Sequence, residues 1–410
     1  MPAPSAFPVP RSAAVLAALL LAACGSGGDR AQAPAEARRQ PAGMIERAMT
    51  PAPTPVADSL IAKGEGLIRR RVANEAFPGA ALAVGNRSLI QRTTAFGRLH
   101  WDDDAPPADA RRTRWDLASL TKVVATTAAV MALVEDGRME LDAPVRQYLP
   151  QFSGGNKDRV TIRHLLTHTA GTRAGAADID GDASRGRVRE YLLSRPLTLE
   201  PGAEVLYSAL GFVVLWEAAT RAAGEPLPRY LRRRVWGPLE MASTAMGVRQ
   251  GCKDCAPTLH LEEAKEPYRG GSYDEVARRM DGITGNAGAF STVHDLARFA
   301  AMIANEGRLG DVRVFERATV RDFATPQEGT GTRALGWEVY CREGKVPDHT
   351  TCRDVMAFGH TGVTGTSLWI DPESRTWVVL LTNRVYLPRQ DTDMQKLRRN
   401  LFKTVVPAGE

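Results

Sequence analysis

The chain has 410 residues, of which 43% are hydrophobic, 24% charged and 6% aromatic, with a net charge of +6. That length suggests about two or three domains' worth of chain, and the composition excludes wholesale disorder, a collagen-like fibre and a polytopic membrane protein. The basic surplus is thin: Arg69-Arg70-Arg71 and Arg232-Arg233-Arg234 sit in helical-looking segments and fit solvated helix faces better than a nucleic-acid groove.

At the N-terminus Arg11 precedes an apolar run, residues 13–23, that meets Cys24. The run is shorter than the roughly 20 apolar residues a bilayer span needs, so residues 1–23 read as a cleaved secretory signal. Its end, Leu21-Ala22-Ala23-Cys24-Gly25, resembles a bacterial lipobox, which implies lipidation of Cys24. The alternative is a plain secretory signal with an incidental cysteine. Residues 24–55, rich in Gly, Ala, Pro and Gln, read as a disordered tether. In lipoproteins of this kind an Asp after the cysteine favours the inner membrane. Gly25 therefore implies a periplasm-facing, outer-membrane location.

Residues 56–405 read as the folded part. Asp58 is placed to cap a helix carrying Leu60, Ile61, Leu67, Ile68 and Val72 on one face, ended by Phe77-Pro78. Strands follow over 79–84 and 88–96, turned by Gly85-Asn86-Arg87. The middle, 119–309, reads as helices between Gly- and Pro-containing loops. Strand signals return at 335–341, 356–360, 366–371 and 376–382, with Asp371-Pro372-Glu373-Ser374 as a turn. A last helix opens at Asp391 and buries Met394, Leu397, Leu401 and Val405. The expected fold is α+β: one antiparallel sheet built from 56–118 and 310–405, with a helical insertion between.

Once Cys24 is set aside, four cysteines remain: Cys252, Cys255, Cys341 and Cys352. An even number in an oxidising compartment suggests two disulfides, and the local pairs 252–255 and 341–352 are the simplest of three pairings. A zinc site would need all four to converge, and a redox role for Cys252-Lys253-Asp254-Cys255 lacks the usual βαβ setting.

The chemistry starts at Ser119-Leu120-Thr121-Lys122. With 15 Ser and 8 Lys in the chain, Ser-x-x-Lys should arise by chance about 0.3 times, so the spacing alone is weak. Its setting adds weight. Residues 120–134 are apolar nearly all round, as in a buried helix. Three-residue spacing puts Lys122 beside Ser119, and burial penalises the charged ammonium, as a base requires. The helix N-terminus favours a developing alkoxide and offers N–H groups to an oxyanion. A capping Ser with a snorkelling Lys is the plainer alternative.

Two further motifs lie downstream, Tyr207-Ser208-Ala209 and His360-Thr361-Gly362. In this order the three motifs resemble the serine β-lactamase and penicillin-binding-protein superfamily, nearest its class C β-lactamase-like branch of esterases and D-amino-acid-specific peptidases. The stretches 161–171 and 285–299 are similar to that branch, and the resemblance runs over about residues 56–405. It implies Ser119 as acylated nucleophile, Lys122 as base and Tyr207 as a partner in proton transfer. It implies an oxyanion hole from the backbone N–H groups of Ser119 and Val363, with His360, Thr361 and Gly362 on an edge strand against the substrate. No metal and no cofactor are implied. The partners implied are an ester or D-peptide substrate, or cell-wall fragments, and a membrane through Cys24.

Two positions depart from the family pattern. Ala209 stands where many members carry Asn, and His360 where β-lactamases usually carry Lys. Both argue against efficient β-lactam hydrolysis, and both keep open a non-catalytic cell-wall-binding protein that retains the fold. Asn286, in a glycine-flanked loop, is a candidate to replace the amide missing at 209. His164 and His168 have the i,i+4 spacing of a zinc pair but read as helix-end packing. Trp115, Trp216, Trp236 and Trp337 read as core or pocket wall, and Asp102-Asp103-Asp104 as a solvated loop rather than a calcium site.

Overall fold

Alternation along the first strand shows how the molecule is layered. Its even positions, Ala80, Leu82 and Val84, face one apolar cluster, while Ala81 and Ala83 face another. The strand is therefore buried on both sides, which a run of small and branched apolar residues permits. The protein is described by a computed structural model covering residues 52–172, 179–181, 183–260, 267–344 and 346–406. The signal sequence, Cys24 and nearly all of the tether lie outside the described residues.

The main sheet has six strands: β1 (Gly79–Asn86), β2 (Leu89–Gly97), β3 (Glu338–Cys341), β4 (Val355–Thr361), β5 (Ser367–Ile370) and β6 (Thr376–Thr382). Their order is β2-β1-β6-β5-β4-β3, antiparallel throughout. Both ends of the chain thus build one sheet, with Ala80 opposite Thr382. One face carries helix α1 (Asp58–Ala73) and the final helix, Met394–Val405. The other packs on the helical segment, including α2 (Ala128–Glu135), α3 (Ala209–Ala223) and α4 (Val293–Ala304); the final helix is α5. This is an α+β fold, as the pattern of strands at both ends anticipates.

Boundaries shift for local reasons. Gly85 and Asn86 remain in β1, across a bulge at Val84/Gly85, and the turn is made by Arg87, whose φ is 48°. Asp58 is the first helical residue rather than the cap, which is Ala57. The last helix opens at Met394, where the Asp393 side chain accepts the Lys396 N–H. The disulfides pair Cys252 with Cys255 and Cys341 with Cys352. One expectation needs correction: β4 is not an edge strand along its length. Strand β3 covers it from Val355 to Gly359, leaving only its His360-Thr361 end unpaired on that side.

Candidate active site

Ser119 lies in a tight helical turn, Ala118–Leu120, that leads through a wider turn, Lys122–Thr127, into α2. The turn begins with Ala118 at φ 46°, a left-handed conformation unusual for alanine. A buried carboxylate holds it there. Asp116 accepts the Ala118 N–H at 2.9 Å through one oxygen and the Tyr273 N–H at 2.6 Å through the other. Burial pushes the Asp116 carboxyl up to about 6 despite these donors.

The same turn is tied to the end of β4. Thr364 Oγ1 donates to the Asp116 carbonyl at 2.8 Å, and Thr366 Oγ1 to the Leu117 carbonyl at 2.9 Å. Gly362 is required by this approach: a Cβ there would lie 2.2 Å from Thr366 Oγ1 and 2.5 Å from the Leu117 carbonyl. Gly365 closes the turn at φ 99°. Between them Val363 is exposed, and among the described residues its N–H makes no hydrogen bond.

Lys122 is 1% exposed and donates to Ser119 Oγ at 3.1 Å and to the Asn286 carbonyl at 3.0 Å. Its Nζ is also 5.0 Å from the centre of the Tyr207 ring. Tyr207 immediately precedes Ser208, whose Oγ caps α3 by accepting the Gly211 N–H. Nearly half exposed, Tyr207 stands at the mouth of the site, and Ser119 is partly open to solvent. Ser119, Lys122, Tyr207 and His360 therefore converge, although almost 90 residues separate the first from the third.

The two histidines at the site, His168 and His360, are held neutral near neutral pH. Burial, reinforced by Lys122 and Arg333, pushes His360 down to about 3; its Nδ1 lies 2.8 Å from the Thr361 carbonyl. His168 is held well below its usual range, again chiefly by burial. Its Nδ1 accepts the Ser208 N–H at 3.1 Å, which puts the proton on Nε2, and its ring packs 4.5 Å from that of Tyr207. His168 is thus part of the site, not helix-end packing. His164 alone fits that description, accepting the Thr161 N–H in a capping box.

Asn286 calls for a correction. Its side chain is 1% exposed, with Oδ1 accepting from Thr284 Oγ1 at 2.6 Å and Nδ2 donating to Asp274 at 3.0 Å. The amide is occupied inside the protein and does not stand in for the one absent at Ala209. What Asn286 brings to the site is its main-chain carbonyl, on Lys122. Sequence reasoning also missed Arg333, whose guanidinium lies 5.4 Å from the Tyr207 ring centre and only 3.9 Å from its nearest carboxylate, on Glu338. No periodicity marks Arg333, which lies in a loop. Asp116, three residues before Ser119, was readable only once the left-handed Ala118 was known.

Chemically, a hydroxyl against a buried amine, an adjacent phenol and a free N–H across the gap can support acyl transfer. Comparison with known proteins points the same way. The family described as Beta-lactamase matches residues 65–401. An Escherichia coli K12 protein with the provisional name D-alanyl-D-alanine carboxypeptidase is 30% identical over 348 residues, 77% of this chain and 80% of its own. The N-acetylmuramyl-L-alanine amidase of Bacillus subtilis is 28% identical over 364 residues, 81% of this chain and 82% of that one. Among solved structures the fold is similar to that of EstCE1, described as a hydrolase with promiscuous acyltransferase activity, with a TM-score of 0.65 at 21% identity over 84% of this chain and 98% of that one.

Proposed function

The chain belongs to the β-lactamase family of serine hydrolases, and on that premise we propose that it hydrolyses an ester or a D-amino-acid peptide through an acyl-enzyme on Ser119. The observation that carries this reading is the 3.1 Å contact between Ser119 Oγ and an amine buried to 1% exposure. Lys122 takes the hydroxyl proton as Oγ attacks the acyl carbonyl, and Tyr207 passes a proton to the leaving group. The N–H groups of Ser119 and Val363 receive the negative charge that develops on the acyl oxygen. Water then cleaves the seryl ester by the same groups in reverse order.

The neutral His360 and the missing amide at 209 support esters and D-peptides over β-lactams. The carboxypeptidase and amidase names of the relatives support an acyl donor of the cell wall. Lipidation of Cys24 would hold the enzyme on the periplasmic face of a membrane; labelling cells with a radioactive fatty acid tests this, with Cys24→Ala expected to stay unlabelled. For the hydrolase itself, a fluorophosphonate probe should modify Ser119, and wild type but not Ser119→Ala should turn over a short p-nitrophenyl ester. Folded protein that does neither would leave the cell-wall-binding alternative standing.

A further inference from the structure

Helix α5 turns positions 394, 397, 398, 401, 402 and 405 into the protein. Five are Met, Leu, Leu, Phe and Val, the stripe expected of an amphipathic helix. The sixth is Arg398, 6% exposed and in no ion pair among the described residues. Charged side chains are seldom buried without a carboxylate or a task. Burial lowers this guanidinium to about 10, so it remains a cation at neutral pH.

Its bonds indicate the task. One terminal nitrogen donates to the Gly362 carbonyl at 2.6 Å and to the Thr366 carbonyl at 2.9 Å, while the Arg398 Nε–H has no partner among the described residues. The Gly362 carbonyl and the Val363 N–H are two ends of a single peptide group. We propose that Arg398 is a positioning residue of the oxyanion site, whose charge on the Gly362 carbonyl makes the Val363 N–H a stronger donor to the acyl oxygen. This rests on the acyl-enzyme reading above.

A charge-assisted hydrogen bond draws electron density toward the carbonyl oxygen and leaves the amide hydrogen of the same group more positive. The neighbouring peptide is treated alike, since Arg384 Nε donates to the Val363 carbonyl at 2.9 Å. Arg398 also bridges both limbs of the 362–366 turn, whose own closing bond runs from the Gly362 N–H to the Thr366 carbonyl at 2.8 Å. One buried cation therefore fixes where the Val363 N–H points and sets how strongly it donates. Because it works from behind the turn, it touches no substrate.

The test separates charge from shape. Arg398→Gln keeps a neutral donor, and Arg398→Lys keeps the charge. With a p-nitrophenyl ester, Arg398→Gln should lose about ten- to a hundredfold in kcat with KM within about threefold, while Arg398→Lys stays within about fivefold of wild type. The second readout is the infrared stretch of the acyl carbonyl in a slowly hydrolysed Ser119 ester, which should move to higher frequency in Arg398→Gln and hold in Arg398→Lys. Equal loss in the two variants, or a wild-type frequency in Arg398→Gln, overturns the proposal. If Arg398→Gln does not fold, the Arg398→Lys adduct decides alone: a raised frequency there overturns it. A wild-type enzyme that forms no Ser119 adduct brings down the acyl-enzyme reading as well, whereas a normal adduct with an indifferent Arg398→Gln brings down only this one.

Discussion

The Asp116 carboxylate accepts the Ala118 N–H at 2.9 Å and so holds, at φ 46°, the residue that precedes Ser119. The direction of the Ser119 hydroxyl is thereby set by an acid that burial has pushed up to about 6.

From this follows a pH dependence. Protonation removes one of the two acceptors that Ala118 and Tyr273 use, so ester turnover should fall as pH drops through about 6. His168 and His360 are already neutral there and add nothing. Stability has the opposite sign. Between the ordinary 3.8 and about 6 the native state holds a proton that the unfolded chain has released, so this one group makes stability fall as pH rises, by on the order of 3 kcal/mol in all. Asp116→Asn should show low, flat turnover from pH 5 to 8 and lack that slope in urea titrations. A wild-type break near 6 that survives in Asp116→Asn would assign it elsewhere.

Replacing the amine tests the base. Lys122→Met removes the donor to Ser119 Oγ while filling the same space, and fluorophosphonate labelling should slow by about 10²–10⁴-fold. Labelling at the wild-type rate would show that Ser119 is activated by another group.

His168 supports Tyr207 from below. His168→Leu leaves the Ser208 N–H without an acceptor, which should lower stability by about 1–3 kcal/mol and reduce kcat as the phenol loses its packing partner. His168→Asn, which can still accept that N–H, should recover most of the stability but not the rate. Thermal melts and steady-state kinetics on the two variants give both numbers.

The disulfides should differ in worth. Chain-entropy arguments give about 3 kcal/mol for the Cys341–Cys352 loop, with a separation of 11, and about 2 kcal/mol for Cys252–Cys255, with a separation of 3. Cys352→Ser should therefore depress the melting temperature more than Cys255→Ser. The reverse order would mean that local packing outweighs loop closure.

Much of this was legible in the sequence because the signals are local. Ser119 and Lys122 share a helical turn, and the strands of the main sheet are marked by dense apolar runs between turn residues. What escaped depends on contacts between distant segments. Arg398 sits beside Lys396 and Arg399, so composition reads it as one of a solvated basic group. Only its place on the stripe of Met394, Leu397, Leu401 and Val405 hints at burial. Asn286 was misread because a glycine-flanked loop suggests an exposed amide, whereas Thr284 and Asp274 close over it. Strand β3 was expected over 335–341 and forms over Glu338–Cys341, where β4 supplies its backbone bonding.

A ribosome makes the two halves of this machine at very different times. Ser119 emerges early, yet the turn that faces it and the strand that partners Ala80 are among the last quarter of the chain to be translated. Fragments released before that last quarter is made should therefore lack ester turnover, and a single protease cut that removes β6 should abolish it.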